Sequence, residues 1–254
     1  MKTAKISVLI ITKNEEANLK ELLPTLDFTD NIVVVDSFSD DNTIKIAEKY
    51  TDQVFVRKFD NHASQKNWGL EKVKYEWVLI LDADERVNDK LIKEVFHLVE
   101  NSQGNVAFWI KRKNHFMNKR INYCGWQRDK VIRLINKNYC KYNSLIIHEE
   151  IEAQGNVGFM SEVLDHNTYK GLSDYLIKIN DYTNKKAQLR FNQGKKVSYF
   201  GILFKPGIKF LNRYILKLGF LDGVEGLIVC LLTAFNVFLT DIKLLRLYKG
   251  EKLY

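Results

Sequence analysis

The first hundred residues alternate between two hydrophobic periods, and that alternation restricts the fold more than any other feature of the chain. Residues 6–11, 32–35, 53–56 and 77–81 are short apolar runs, several of them β-branched, of the kind buried on both faces of a parallel sheet. Between them, residues 15–26 set Leu19, Leu22, Leu23 and Leu26 at helical spacing. Residues 40–49 and 62–73 also read as helices, with Ser39 or Asp40 expected to cap the first of these two. Residues 88–99 close the series with Leu91, Ile92, Val95, Phe96 and Val99 on one face. Strands and helices alternating through short loops predict an α/β, doubly wound, mainly parallel sheet flanked by helices. Ligands of such sheets gather at the carboxyl ends of the strands, so the chemistry is sought there.

Beyond that repeat, residues 105–112 and 130–136 look extended, separated by the stretch Tyr123-Cys124-Gly125-Trp126. Residues 143–152 suggest a further strand or strand-turn, and 114–122 a loop able to close over a ligand. After Asp165 the character changes. Residues 173–191 form one long polar-faced helical pattern, 195–218 mix cations with aromatics, and 226–239 are almost wholly apolar. The expected division is therefore 1–168, with a ligand-binding half over 1–100 and a second half over 101–168, followed by a basic, amphipathic helical extension over 169–254.

Charge follows the same division. From Lys170 onward there are fifteen Lys/Arg against six Asp/Glu, so the excess behind the formal net charge of +8 lies in the last third. A basic surface suits nucleic acid, anionic lipid or an acidic substrate. No RRM, KH or helix-turn-helix signature accompanies it, so nucleic acid is not the expected partner. The apolar run over 226–239 falls short of the roughly 20 residues that span a bilayer, leaving a buried helix or an interfacial one. Cys124, Cys140 and Cys230 are odd in number and far apart, which fits a reducing compartment rather than a disulfide framework. With the first strand starting within a few residues of Met1, a cytoplasmic chain is expected, peripheral on the inner face of the membrane if the extension is interfacial.

The strand ends carry the chemistry. The turn Thr12-Lys13-Asn14-Glu15 has neither GxGxxG nor GxxxxGK[ST], against a dinucleotide Rossmann site and against a P-loop. Asp36, ending the second run, can accept hydrogen bonds from a base or ribose, or serve as a cap. Lys66, between Gln65 and Asn67, would offer a cation to the same edge. The fourth run ends in Asp82-Ala83-Asp84-Glu85, whose carboxylates can hold a hard divalent cation and through it a diphosphate; a surface turn is the alternative. Arg128 and Arg133 are candidate phosphate contacts, with a solvated strand face the alternative for at least one, and Trp126 either stacks on a sugar or packs in the core. His148 has no second His four residues on, so Ile147-His148-Glu149-Glu150 is not a zincin helix.

Four of these segments occur together in an order and spacing that resemble the inverting family 2 glycosyltransferases, whose fold is the Rossmann-like GT-A. They are residues 6–12 with Asn14-Glu15, residues 33–37 with Asp41-x-Thr43, Gln65-Lys66-Asn67-x-Gly69, and residues 81–84. Thr12-Lys13-Asn14-Glu15-Glu16-Ala17-Asn18-Leu19, Ala63-Ser64-Gln65-Lys66-Asn67-Trp68-Gly69-Leu70 and Asp82-Ala83-Asp84-Glu85 are similar to the subgroup that adds glucose to lipopolysaccharide inner-core heptose. Ile147-His148-Glu149, Tyr175-Leu176-x-Lys178 and Gly219-Phe220-Leu221-Asp222-Gly223 are similar to it as well.

The resemblance implies a UDP-sugar donor, with Thr12, Glu15 and Asp36 lining the uridine pocket and Lys66 beside the pyrophosphate. Lys66 stands where relatives often have Arg, which keeps the charge but loses the bidentate fork. It further implies Mg²⁺ or Mn²⁺ on Asp82 and Asp84, with His166 as a possible late ligand. An inverting transfer also needs a carboxylate base on the acceptor hydroxyl; Glu149 is the first choice and Glu150 the second. The acceptor implied is a lipopolysaccharide-core heptose or a related glycolipid. Another polysaccharide, a polyprenyl phosphate, or a non-catalytic GT-A-like glycolipid-binding module are the alternatives.

Overall fold

The computed structural model describes residues 5–143, 150–169 and 171–253. In chain order the first elements are β1 (Ile6–Thr12), α1 (Glu16–Leu22), β2 (Ile32–Asp36), α2 (Thr43–Ala47), β3 (Val54–Val56), α3 (His62–Leu70) and β4 (Trp77–Asp82). They continue with β5 (Glu85–Arg86), α4 (Asp89–Glu100), β6 (Asn105–Phe116), β7 (Lys119–Arg120), β8 (Lys130–Asn136), β9 (Cys140–Tyr142), β10 (Ile151–Ala153) and β11 (Asn156–Tyr169). Three long helices follow, α5 (Leu172–Asn192), α6 (Tyr199–Leu211) and α7 (Gly223–Tyr248). The chain divides into two compact units, one of Met1–Arg112 with Lys130–His166, the other of Lys113–Asp129 with Asn167–Tyr254.

The first unit is built on a sheet ordered β3-β2-β1-β4-β8-β6-β11-β5 among the described residues. Strands β3, β2, β1 and β4 are parallel, and β8 then joins β4 in the antiparallel sense. Alternation along β1 distributes its side chains between two cores. Val8 and Ile10 enter one with Val34, Leu79 and Leu81, covered by Leu19 and Leu22 of α1 and Leu91 and Val95 of α4. Leu9 enters the other with Val33, Val35, Val78 and Ile80, covered by Ala63 and Leu70 of α3. Because both faces are covered, a one-residue slip of β1 would exchange the two sets. Gly69 sets how closely α3 approaches: a Cβ there would lie 2.6 Å from a terminal carbon of the buried Leu9.

Two helices differ from their expected bounds for identifiable reasons. The helix after β1 ends at Leu22 and tightens into a 3₁₀ turn over Leu23–Thr25, where Pro24 lacks the N–H that would continue it. The next helix begins only at Thr43, and neither Ser39 nor Asp40 caps it. Ser39 gives both its N–H and its hydroxyl to Asp36, while Asp41 accepts the backbone N–H groups of Thr43 and Glu16. Side chains thus hold residues 37–42 as a loop tied to the β1–α1 turn. By contrast, α4 starts as patterned, with the Asn88 side chain accepting from the N–H groups of Lys90 and Leu91 at 3.0 Å.

In the second unit, residues 114–122 are a hairpin rather than an open loop. β6 turns through Met117 and Asn118, at φ of 50° and 63°, and pairs Phe116 with Lys119 of β7. Phe116, Ile121, Cys124, Tyr175, Ile179, Val229 and Cys230 form the core of this unit. Trp126 packs against that core, and Arg128 is exposed on the same segment. The apolar run over 226–239 is the middle of α7, a helix of 26 residues rather than an isolated short one. The stretch Gly219–Tyr248 is long and apolar enough to cross a membrane by length and composition, with 33% of its most apolar window buried.

Candidate active site

Register alone brings the candidate residues together at the carboxyl edge of the parallel strands. Thr12 of β1 lies opposite Asp36 of β2, and Ile11 lies opposite Asp82 of β4. Thr12 Oγ1 donates to Asp36 Oδ2 at 3.0 Å, and Ser39 N donates to Asp36 Oδ1 at 2.8 Å, so the fully buried Asp36 is locked in place. Glu15 sits beside this pair, its N–H on Thr43 Oγ1 at 2.9 Å and its carboxylate accepting from Asn18 at 2.6 Å.

Helix α3 supplies the cation. Its N-cap Asn61 accepts from Ser64 N at 2.8 Å, and Gln65 is fixed between Ser37 and Arg57. Lys66, one residue on, is 6% exposed and places Nζ 3.6 Å from Asp82 Oδ1. The same ammonium lies 5.1 Å from the centre of the Tyr142 ring. Asn67 closes this side with a reciprocal pair of 2.8 Å bonds to the backbone of Tyr142.

A buried ion-pair network underlies Asp82. Strand β8 runs antiparallel to β4 with Leu134 opposite Leu79, which brings Arg133 to the carboxyl end of β4. Its guanidinium donates to Asp82 Oδ2 and, at 2.7 and 3.1 Å, to Oε1 of Glu85. The Glu85 side chain has no exposed surface; it also accepts Asp82 N–H at 2.9 Å and lies 3.7 Å from Arg112. Burial opposes ionisation of Asp82, but Arg133 first and Lys66 second hold its carboxyl well below the usual carboxylate range. Burial pushes the Glu85 carboxyl upward, against the pull of Arg133.

Asp84 and His166 meet through a different route. β5 pairs antiparallel with β11 so that His166 lies opposite Glu85, and His166 Nε2 comes 3.5 Å from Asp84 Oδ1. Among the described residues no group of three or more His, Cys, Asp and Glu is arranged to hold a metal by itself. Asp84 and His166 converge, while Asp82 is turned to Arg133 and Lys66. A carboxylate and an imidazole fit a divalent cation that completes its shell with water and phosphate oxygens, as Mg²⁺ sites commonly do.

Thr12, Glu15, Asp36, Lys66, Asp82, Asp84 and His166 therefore all belong to the first unit and line its strand ends. Glu149 and His148 lie outside the described residues; Glu150 is described and exposed. Arg133, a candidate for a phosphate contact or a solvated strand face, is buried and paired with the Asp82 and Glu85 carboxylates. Glu85 was passed over as a site residue, although it directly follows the two aspartates in the sequence. A third acid beside an apolar strand, with an arginine on a later strand able to reach it, is the signal that would have found it.

Residues 7–166 match the family model described as glycosyl transferase family 2. The lipopolysaccharide core biosynthesis glycosyltransferase LpsC of Rhizobium meliloti is 30% identical over 247 residues, which cover 94% of this chain and 91% of that protein. An uncharacterized glycosyltransferase of Rickettsia conorii is 28% identical over 254 residues, covering 95% of this chain and 90% of its own. Among solved structures, S. aureus TarS 1–349 in complex with UDP-GlcNAc aligns with a TM-score of 0.47 at 17% identity, over 99% of this chain and 93% of that one.

Proposed function

The chain belongs to glycosyl transferase family 2 and is a glycosyltransferase, and from that premise we propose that it moves a hexose, glucose first among the candidates, from a UDP-sugar to a lipopolysaccharide-core heptose or related glycolipid. The observation that carries this reading is the convergence of Thr12, Asp36, Lys66, Asp82, Asp84 and His166 at one sheet edge. Glu15, beside the buried Thr12–Asp36 pair that shapes this edge, presents an acceptor to the N–H and hydroxyl groups of a uridine, and Lys66 presents a cation to a diphosphate. The lipopolysaccharide role in the name of LpsC favours a core-sugar acceptor over other glycans. A glycolipid acceptor in the cytoplasmic leaflet would place the enzyme on the inner face of the membrane.

Charge favours a divalent cation in this site. Lys66, Arg112 and Arg133 are balanced by Asp82, Asp84 and Glu85, so an incoming diphosphate brings negative charge that the side chains alone do not offset. Mg²⁺ or Mn²⁺, held by Asp84 and His166 with Asp82 behind them, would supply that charge and stabilise the departing nucleoside diphosphate. The chain's own groups do the rest. Lys66 orients the diphosphate, Arg133 and Lys66 keep Asp82 ionised, Glu85 fixes the Asp82 backbone by accepting its N–H, and the Thr12–Asp36 pair underlies the nucleoside edge. The base that takes the acceptor hydroxyl proton, as that oxygen attacks the anomeric carbon with inversion, is assigned to Glu149, with Glu150 as the alternative.

Calorimetric titration with UDP, with and without Mn²⁺, tests the donor site, with Asp84→Asn alongside. Expected is Mn²⁺-dependent UDP binding that weakens at least tenfold in the variant. UDP binding that is indifferent to Mn²⁺ would remove the metal from the reading. No UDP binding in either condition, with binding of a GDP- or CMP-linked compound instead, would replace the donor. Transfer of labelled glucose from UDP-glucose to heptose-terminated core glycolipid, and its loss in Glu149→Gln, tests the acceptor and the base.

A further inference from the structure

Among the described residues, α6 is the one long helix of the second unit with no buried residue. Phe200, Leu203, Phe204, Ile208 and Leu211 recur at helical spacing along it and are 77%, 71%, 54%, 65% and 52% exposed. Phe200 and Phe204 stack on each other at 6.0 Å without covering either ring. The row continues past the helix into Leu216, 72% exposed. Scattered apolar side chains on a surface need no explanation, but a contiguous row of large ones marks an interaction face.

Charge identifies what covers it. Residues 195–221 contain six Lys/Arg and no Asp or Glu. Lys195 and Lys196 are exposed immediately before the Ser198 cap of α6. An apolar face on a segment whose own charged side chains are all cations complements an anionic lipid surface, in which the aromatic row reaches the acyl boundary and the ammonium groups stay among the phosphates.

Helix α7, although long and apolar, is held within the unit along one face, while its Leu231, Phe235 and Phe238 are 51%, 41% and 38% exposed. Gly226, Val229, Cys230, Ala234, Thr240, Asp241 and Leu244 are buried along it. Asp241, 1% exposed, is ion-paired with Arg190 of α5 and, at 3.1 Å, with Lys205 of α6. Lys243 donates to the Asn180 carbonyl of α5 at 2.9 Å. A charged residue held in that way belongs to a packed bundle more readily than to an isolated span.

We propose that α6 lies in the plane of an anionic bilayer and is the element by which this chain binds membrane, with α7 as its buttress rather than a transmembrane span. This goes beyond the transfer reaction and stands whichever nucleotide sugar is the donor. Flotation with vesicles of phosphatidylcholine alone, and with phosphatidylglycerol added, tests it on the full chain. The wild type floats with the phosphatidylglycerol vesicles and stays behind with neutral ones. Phe200→Ser with Leu203→Ser abolishes flotation, and Lys195→Gln with Lys196→Gln weakens it roughly thirtyfold, at about a fivefold loss per cation. Phe235→Ser with Phe238→Ser, on α7, leaves it unchanged. UDP titration of every variant separates lost lipid contact from lost folding or lost donor binding. Flotation lost in the α7 variant but kept in the α6 variant would overturn the proposal in favour of a span. Equal binding to neutral and anionic vesicles would overturn the assigned lipid. A concentration-dependent dimer that the α6 variant dissociates, with no flotation, would show that the face meets a second copy.

Discussion

At the scale of single residues, Arg133 is the centre of the candidate site. It bridges two carboxylates three positions apart, one ending β4 and the other opening β5, and it is almost fully buried. Replacing it with Met would strand Glu85 as a buried charge, which predicts a loss of about 3–5 kcal/mol in denaturant unfolding. Glu85→Leu together with Arg133→Met should recover much of that loss, because no buried charge is then left without its partner. If the single and double variants were equally unstable, packing rather than ion pairing would be the dominant contribution of Arg133. The pH behaviour follows from the same bridge. Since the folded Asp82 carboxyl is held well below the ordinary range, the stability it contributes is present above the ordinary carboxylate value and is lost only as pH falls through its depressed folded value. Asp36, Lys66, Asp82 and Asp84 were legible one by one, because each ends a strand, follows one directly in a turn, or sits on the helix that follows one. The Arg133–Glu85 contact was not, because its partners are 48 positions apart and only the β4–β8 pairing joins them.

At the scale of elements, the agreement between pattern and structure depends on where the determinants lie. Helix α4 follows its hydrophobic spacing, and the Asn88 cap is local to it. Helix α2 starts late because Asp36 and Asp41 recruit residues 37–42 into the β1–α1 turn, which no local rule anticipates. Helix α3 shows how packing positions chemistry. Gly69→Ala improves helix propensity by up to about 1 kcal/mol but sets a Cβ 2.6 Å from Leu9 Cδ1, with Val35 Cγ2 at 3.2 Å. Overpacking of that kind costs about 1–3 kcal/mol, so a net loss of stability is expected in urea unfolding. Because Lys66 rides on the same helix, a weaker UDP affinity should accompany it. A stabilised Gly69→Ala with unchanged UDP affinity would mean that Leu9 yields freely and that α3 is not held at contact distance.

At the scale of the whole molecule, the three thiols report on burial in both units. Cys124, Cys140 and Cys230 are all buried and free. Burial pushes the Cys140 thiol from an ordinary 9.0 up to about 11, and it raises the other two as well. A raised folded value for a thiol means that stability is complete below the ordinary thiol range and is lost as pH climbs through the folded one. Unfolding temperature should therefore fall between about pH 9 and 11, and Cys140→Ser, which keeps a donor for the Val106 carbonyl, should make that fall shallower. An unchanged alkaline limb would assign the loss to other groups. The amino-acid sequence by itself determined the parallel α/β core, the sheet edge that carries the site, and the basic, apolar character of the last third. These are set by periodicity and by residues next to one another in the chain, so they survive without knowledge of any long-range contact. Tertiary structure alone decided that Asp82 answers to Arg133 and Lys66, that His166 reaches Asp84 across the β5–β11 pairing, and that α6 buries no residue while α7 buries one face. Ion pairing and burial are properties of what the fold brings alongside a residue, and a linear pattern does not contain that neighbour.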